Sequence, residues 1–157
     1  MLFSAFGMEG ENNTSQPPTR TASDKPPGKR VLIVESDVET SDRLSSLLEA
    51  DGYVTSLAAD AKTALLLLND FQPQLVLLGT YLSDMPGYEL TQILRGAPQY
   101  AWRFRQTGLL YVADRHKLLK HRLIGAPDVP LAQYVFKPID PNELRDKVRK
   151  AFIEEPA

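Results

Sequence analysis

Short runs of apolar and β-branched residues alternate along the chain with longer segments in which leucine, alanine and valine recur at helical spacing. The five short runs cover residues 31–34, 53–57, 75–78, 109–112 and 134–136. Runs of this length, bounded by glycine, proline or acidic residues, are typical of strands buried on both faces of a parallel sheet. The pattern therefore predicts five strands.

Apolar residues repeat every three or four positions between and after these runs, which predicts five helices. The helices are expected around five sets of residues: Leu44, Leu47 and Leu48; Ala61, Ala64, Leu65 and Leu68; Leu90, Ile93 and Leu94; Leu118, Leu119 and Leu123; and Leu144, Val148, Ala151 and Phe152. The last helix has the clearest start, with Asp140 as its cap, Pro141 at its first position and Glu143 three residues after the cap. Alternating strands and helices predict an α/β fold, a doubly wound parallel sheet with its functional crevice at the carboxyl ends of the strands.

The composition changes sharply at residue 29. Residues 9–28 are polar and rich in proline, serine and threonine, and a segment of this kind cannot bury enough apolar area to offset its ordering entropy. We expect residues 1–28 to be a disordered tail, residues 29–153 to form one globular domain and residues 154–157 to be a short C-terminal tail. A chain of 157 residues has room for a single core of ordinary size.

The chain has no cysteine and two histidines, which excludes disulfides, thiolate nucleophiles and cysteine metal sites. No apolar run approaches the length of a membrane span, and the first residues lack the basic and apolar regions of a signal peptide. We therefore expect a cytoplasmic protein that does not bind membranes. Residues 1–100 carry a net charge of −6 and residues 101–157 a net charge of +4, an asymmetry that concerns surfaces and partners.

Three motifs carry a resemblance to a known family. They are residues 31–34 followed by an acidic turn, residues 73–78 leading into residues 82–87, and the Tyr-Val-Phe-Lys-Pro sequence at residues 134–138. Together they resemble the receiver domain of two-component response regulators over residues 29–152. The resemblance implies a flavodoxin-like fold with a five-stranded parallel sheet.

Receivers carry out phosphoryl chemistry with an acceptor aspartate after strand three, two acids that hold Mg²⁺, a Ser or Thr after strand four and a lysine after strand five. The matching positions here are Gly79, Glu35, Ser36, Ala113 (Val112 if the alignment shifts by one residue) and Lys137. Glycine offers no carboxylate to phosphorylate, so the resemblance implies a degenerate receiver whose acidic pocket keeps Glu35, Asp37 and Lys137. We expect it to be no enzyme and to hold no cofactor or metal. Lys137 is expected to pair with Glu35, with anion binding as the alternative.

Gly79, at the acceptor position, and Asp84 can both be explained by local structure without any phosphoryl chemistry. Gly79 could be a glycine because the chain turns sharply or packs closely there. Asp84 could act as a displaced phospho-acceptor, which would make the protein an active receiver, but it is more simply a residue of the turn that precedes Gly87.

The resemblance also suggests where partners bind. In receivers the face formed by helix four, strand five and helix five is the usual docking surface, and this chain places its excess of basic residues there. We expect a signalling protein, possibly acidic, to bind this face without any phosphorylation switch. The expected contact residues are Tyr134 as anchor and Lys117, Lys120 and Arg149 as steering charges.

A third interpretation is a nucleic-acid-binding protein that uses the basic helices and the segment around Trp102, Arg103 and Arg105, where aromatic and arginine side chains alternate. The simpler interpretation is that Trp102 and Phe104 cover the core while the arginines are solvated. One such stretch falls short of the broad basic surface that nucleic-acid binding needs, so nucleic acid is not the expected partner.

Overall fold

The computed structural model describes residues 28–114 and 130–153. Five strands lie within them: β1 (Arg30–Val34), β2 (Val54–Ala58), β3 (Leu75–Gly79), β4 (Gly108–Asp114) and β5 (Tyr134–Lys137). The helices are α1 (Val38–Ala50), α2 (Ala61–Phe71), α3 (Gly87–Gly96), α4 (Pro98–Phe104) and α5 (Pro141–Ile153). The strands form one parallel sheet in the order β2-β1-β3-β4-β5, so the predicted doubly wound, flavodoxin-like fold is confirmed.

The two central strands, β1 and β3, are buried along their whole length. Their side chains alternate between two apolar clusters, one on each face of the sheet. One cluster includes Leu68, Leu90 and Phe104, which places α2, α3 and α4 on that face. The other includes Leu44 and Leu144, which places α1 and α5 on the opposite face.

Helix α4 was not predicted from the periodicity. It is short, and Phe104 is its only fully buried residue, so it has almost no apolar repeat. Pro98 at its first turn was the available signal, since proline is favoured there. The expectation that Trp102 covers the core is wrong, because this side chain is 70% exposed, whereas Phe104 is buried as expected.

The helix predicted around Leu118, Leu119 and Leu123 lies outside the described residues, as do Lys117 and Lys120. The predicted tails, residues 1–27 and 154–157, also lie outside them. The remaining helices occur where they were expected, with α1 beginning one residue after Asp37 and α5 beginning at Pro141.

Gly87 lets α3 begin against the end of β3. Its backbone N–H donates to the Thr80 carbonyl at 3.0 Å. A Cβ at position 87 would lie only 2.2 Å from the Gly79 carbonyl oxygen, closer than any side chain could approach without a shift of the backbone. This contact fixes the path of residues 80–86 above the carboxyl end of the sheet.

We predict that Gly87→Ala destabilises the domain by roughly 2 kcal/mol or more, because overpacking against a backbone atom cannot be relieved by a rotamer change. Gly96→Ala is the matched control. A Cβ there meets nothing within 4 Å, so this variant should be neutral or slightly stabilising. Urea denaturation of the two variants checks this, and equal midpoints would contradict it.

Candidate functional site

A cleft of about 190 Å³ opens at the carboxyl ends of the strands, where the topology of the sheet reverses between β1 and β3. The residues that line it come from the ends of four strands and the turns that follow them: Glu35, Ser36, Asp37, Thr80, Tyr81, Val112, Asp114 and Lys137. Parallel strands bring these sequence-distant residues to one edge. The acidic pocket expected from the sequence is therefore assembled here, although Ala113 does not line it.

Glu35 lies at the centre of the cleft and is only 4% exposed. Its Oε2 accepts a hydrogen bond from the Asp37 backbone N–H at 2.9 Å. Its Oε1 lies 3.5 Å from Nζ of Lys137, which is 29% exposed and reaches across from the end of β5. The ion pair expected between Glu35 and Lys137 is therefore present.

Gly79 ends β3 directly beside this carboxylate. A Cβ at position 79 would lie 2.9 Å from Glu35 Oε1 and 3.3 Å from its Cδ. The backbone of Gly79 does not lie in the left-handed region, so its conformation is open to any residue. The end of the Glu35 side chain is thus the nearest obstacle to a side chain at position 79, and it would have to shift to make room.

The two residues that follow Glu35 are engaged locally. Ser36 is exposed and its hydroxyl donates to the Tyr81 carbonyl at 3.3 Å. Asp37 accepts a hydrogen bond from the Thr40 hydroxyl at 2.5 Å. That bond lowers the pKa of Asp37 by more than desolvation raises it, and the positive charge of Lys137 lowers it further. Asp37 is therefore a carboxylate at neutral pH.

Magnesium is the metal that the resemblance implies, and the described residues do not fit it. Mg²⁺ requires a near-octahedral set of oxygen ligands. Within residues 28–114 and 130–153, no three His, Cys, Asp or Glu side chains form a group that could hold a metal ion. One Glu35 oxygen already faces the positive charge of Lys137. Ser36 has no carboxylate that could serve as a metal ligand in place of that oxygen.

Asp84 lies away from the cleft and holds the start of α2. Its Oδ1 accepts from the Ala61 backbone N–H and its Oδ2 from the Lys62 N–H, both at 3.0 Å. Desolvation would raise the pKa of Asp84, but these and further backbone hydrogen bonds outweigh it and lower the pKa. Sequence reasoning placed Asp84 in a turn and missed this capping contact, because the two segments are more than 20 residues apart.

The sequence matches the profile of the response regulator receiver domain over residues 31–149, which is more than half of the chain. The chain belongs to the response regulator receiver domain family. It is 30% identical over 124 residues to the DNA-binding response regulator MtrA of Mycolicibacterium smegmatis, a match that covers 77% of this chain and 49% of that protein. It is also 32% identical over 116 residues to a 14.6 kDa protein from the sodA1 3′ region of Leptolyngbya boryana, which covers 73% of this chain and 82% of that protein.

Solved receivers share this fold. The receiver domain of NtrX from Brucella abortus superposes with a TM-score of 0.64 at 22% identity, over 80% of this chain and 99% of that domain. The chemotaxis response regulator CheY4 of Vibrio cholerae gives 0.63 at 20% identity, over 80% and 99%. The chain spans about half the length of the curated MtrA relatives it matches.

The expected role of Tyr134 as an exposed anchor on this receiver is wrong. Tyr134 is completely buried, and its ring packs 5.7 Å from both Tyr111 and Phe136. Although β5 is an edge strand, Tyr134 points into the apolar cluster on the α2–α4 face. Ala113 belongs to the same cluster and is 1% exposed, so position 113 itself supplies no hydroxyl to this cluster.

The basic residues of α5 are balanced by acids. Arg149 is exposed, but its guanidinium lies 3.4 Å from Asp146, and Lys150 lies 3.2 Å from the same carboxylate group. Arg145 and Lys147 pair with Asp51 and Glu143. Exposed pairs of this kind are weak and screened by salt, yet they reduce the positive field that the charge count suggested.

We predict that Gly79→Ala destabilises the receiver by about 1–3 kcal/mol, because the new Cβ displaces the buried Glu35 carboxylate from Lys137. In a Glu35→Ala background the same substitution should cost much less, giving a coupling energy of about 1 kcal/mol or more. Urea denaturation of the four proteins in this double-mutant cycle measures the coupling. An equal cost of Gly79→Ala in both backgrounds would show that Glu35 does not fill this space.

Proposed function

We propose that this receiver works without phosphorylation and signals through protein contacts in a two-component-type pathway, without enzymatic activity of its own. The single observation that carries the proposal is the position of the Glu35 carboxylate. Its Oε1 lies 2.9 Å from where a Cβ at position 79 would be, beside a glycine that offers no acceptor carboxylate, and it pairs with Lys137. In this proposal the Glu35 carboxylate is the permanent anionic partner of Lys137, in place of a phosphoryl group that would be added and removed.

The chemistry of phosphoryl transfer supports this proposal. Transfer to a carboxylate needs the nucleophile in line, with a metal and a lysine neutralising the developing charge. Gly79 supplies no nucleophile, Ala113 supplies no hydroxyl, and Glu35 engages the lysine. The set of possible metal ligands is also incomplete, because Ser36 stands where a second carboxylate would be needed.

The alternative of a displaced acceptor at Asp84 has less support. Both of its oxygens accept backbone hydrogen bonds from the first turn of α2, so in-line attack would require these bonds to break. It also lies outside the set of residues that line the cleft with Lys137.

A signalling protein remains the proposed partner, bound at the face that includes β5 and α5. With Tyr134 buried, the described part of this face presents Arg149 and its neighbours as a mixed-charge surface. Steering by such charges acts on the association rate and weakens with salt. For an acidic partner, it would therefore raise the association rate constant more than the affinity. No helix within the described ranges is long and apolar enough to cross a membrane.

Exposure of Trp102 beside Arg103 leaves the nucleic-acid interpretation open as the second candidate. Its support is local, since the arginine guanidinium is 5.9 Å from the indole ring and is bound to Asn69. The relatives named as DNA-binding match this chain over about half of their length. A salt-dependent gel shift that disappears when Arg103 and Arg105 are neutralised would favour this function.

We predict that neither the wild-type chain nor Gly79→Asp becomes phosphorylated by acetyl phosphate and Mg²⁺. In Gly79→Asp the new carboxylate stands against Glu35, and Ser36 and Ala113 still leave charge unneutralised, each missing contact costing several kcal/mol of barrier. Intact-mass spectrometry detects the added phosphoryl group.

The positive control is the combined variant Glu35→Asp, Ser36→Asp, Gly79→Asp and Ala113→Thr, which rebuilds the parts that receivers use. Asp84→Asn in the wild-type background tests the displaced acceptor. Phosphorylation of the wild-type chain that Asp84→Asn abolishes would establish the alternative and overturn the proposal.

A further inference from the structure

The face formed by α4 and the outer side of α2 exposes large apolar side chains. Trp102 is 70% exposed and Leu66 is 74% exposed. Arg103 joins the two helices, because its Nη1 donates to Asn69 Oδ1 at 2.7 Å and its guanidinium lies 5.9 Å from the Trp102 ring. Asn69 follows Leu66 by three residues and so lies on the same side of α2. We call these four residues the Trp102 face.

The cost of this exposure suggests that something covers the face. A tryptophan ring buries 150–250 Å² when it is covered, and tryptophan and arginine are the residues most enriched at binding hot spots. The α4 helix that carries Trp102 contributes only Phe104 to the fully buried core. Core packing therefore does not explain why this residue is a tryptophan.

The chain enters the described structure next to this face. The Gly28 carbonyl accepts from Nη1 of Arg30 at 3.1 Å. Arg30 and Arg103 line one surface cavity of about 220 Å³, together with Gln72, Phe104 and neighbouring residues. The chain before Gly28 therefore starts beside Arg30, which shares this cavity with Arg103.

The sequence before Gly28 contains a segment of matching chemistry. Five large apolar residues, Met1, Leu2, Phe3, Phe6 and Met8, fall within the first eight positions, and the acids Glu9 and Glu11 follow them. The Trp102 face offers the complement, an apolar surface bordered by the exposed Arg103 and Arg105.

The length of chain between the two is sufficient. Residues 12–27 would span about 20–25 Å as a flexible linker and about 50 Å at full extension. A domain of this size has a radius of gyration of about 14 Å, so the segment can reach the Trp102 face from Gly28.

From these observations we propose that residues 1–11 of the same chain bind the Trp102 face, with Leu2, Phe3 and Phe6 against Trp102 and Leu66 and with Glu9 and Glu11 near Arg103 and Arg105. Composition predicts that residues 1–28 are disordered. The proposal alters that expectation for residues 1–11 and keeps it for the proline-rich residues 12–27.

Trp102 is the only tryptophan of the chain, so its fluorescence reports directly on the face. In the full chain we expect emission at shorter wavelength than in a variant that lacks residues 1–11. The acrylamide quenching constant of the full chain should be roughly half that of the truncated variant or less, because the segment covers most of the exposed Trp102 ring. A synthetic peptide of residues 1–11 added to the truncated variant should restore both effects.

Two sets of variants test the contacts. The full chain with Leu2→Ser, Phe3→Ser and Phe6→Ser should behave like the truncated protein. Glu9→Lys with Glu11→Lys should raise quenching, whereas Asn12→Lys with Asn13→Lys, which adds charge to the linker, should leave it unchanged.

Equal emission and quenching of the full and truncated proteins would overturn the proposal. A shift that grows with protein concentration would also overturn it and assign the face to a second copy of the chain. A shift produced by single-stranded DNA in both proteins, with none produced by the segment, would assign the face to nucleic acid instead.

Discussion

The Glu35 carboxylate is the constraint on which the functional site depends. A buried carboxylate is costly unless it is paired and hydrogen-bonded. Here it has one of each, the Asp37 N–H on one oxygen and Lys137 on the other, and the partner lysine is partly open to solvent. The pairing places the glutamate beside β3, where a Cβ at position 79 would lie 2.9 Å from its Oε1, so a side chain there would displace the carboxylate.

This arrangement links the scaffold to the proposed mode of action. Gly87 holds the start of α3 against the end of β3, and Asp84 ties the same turn to the start of α2. The turn above the cleft is therefore anchored at both ends by backbone contacts that need no ligand. On the opposite side of the sheet edge, Tyr134 is packed between Tyr111 and Phe136, with Ala113 in the same cluster. Among the described residues, the turn above the cleft and Tyr134 are held by contacts that do not depend on a phosphoryl group, as the proposed mode of action requires.

Sequence patterns predicted the fold because each strand is a short apolar run and because acid caps and proline mark helix starts. The pairing of Glu35 with Lys137 could also be predicted, since parallel strands bring their carboxyl ends together. The packing of Glu35 into the space beside Gly79 could not, because it depends on a distance of a few ångströms between β1 and β3. The placements of Tyr134 and Trp102 were not predicted either. Helix α4 has too few apolar residues for a periodic signal that would show which side faces the core, whereas β5 is buried at three successive residues, so its place at the edge of the sheet does not expose Tyr134.

The most direct test of the account is an NMR titration of the wild-type chain, labelled with ¹⁵N, with Mg²⁺ and beryllofluoride, which together imitate a phosphorylated carboxylate. Three amide signals report on the cleft: that of Glu35 on its centre, that of Gly79 on the end of β3 and that of Lys137 on the end of β5. No saturable shift is expected at these residues, because Gly79 offers no carboxylate to beryllofluoride and Glu35 already pairs with Lys137. Saturable shifts centred on Gly79 and Lys137, lost when Mg²⁺ is removed, would show a working phosphoryl site and contradict it.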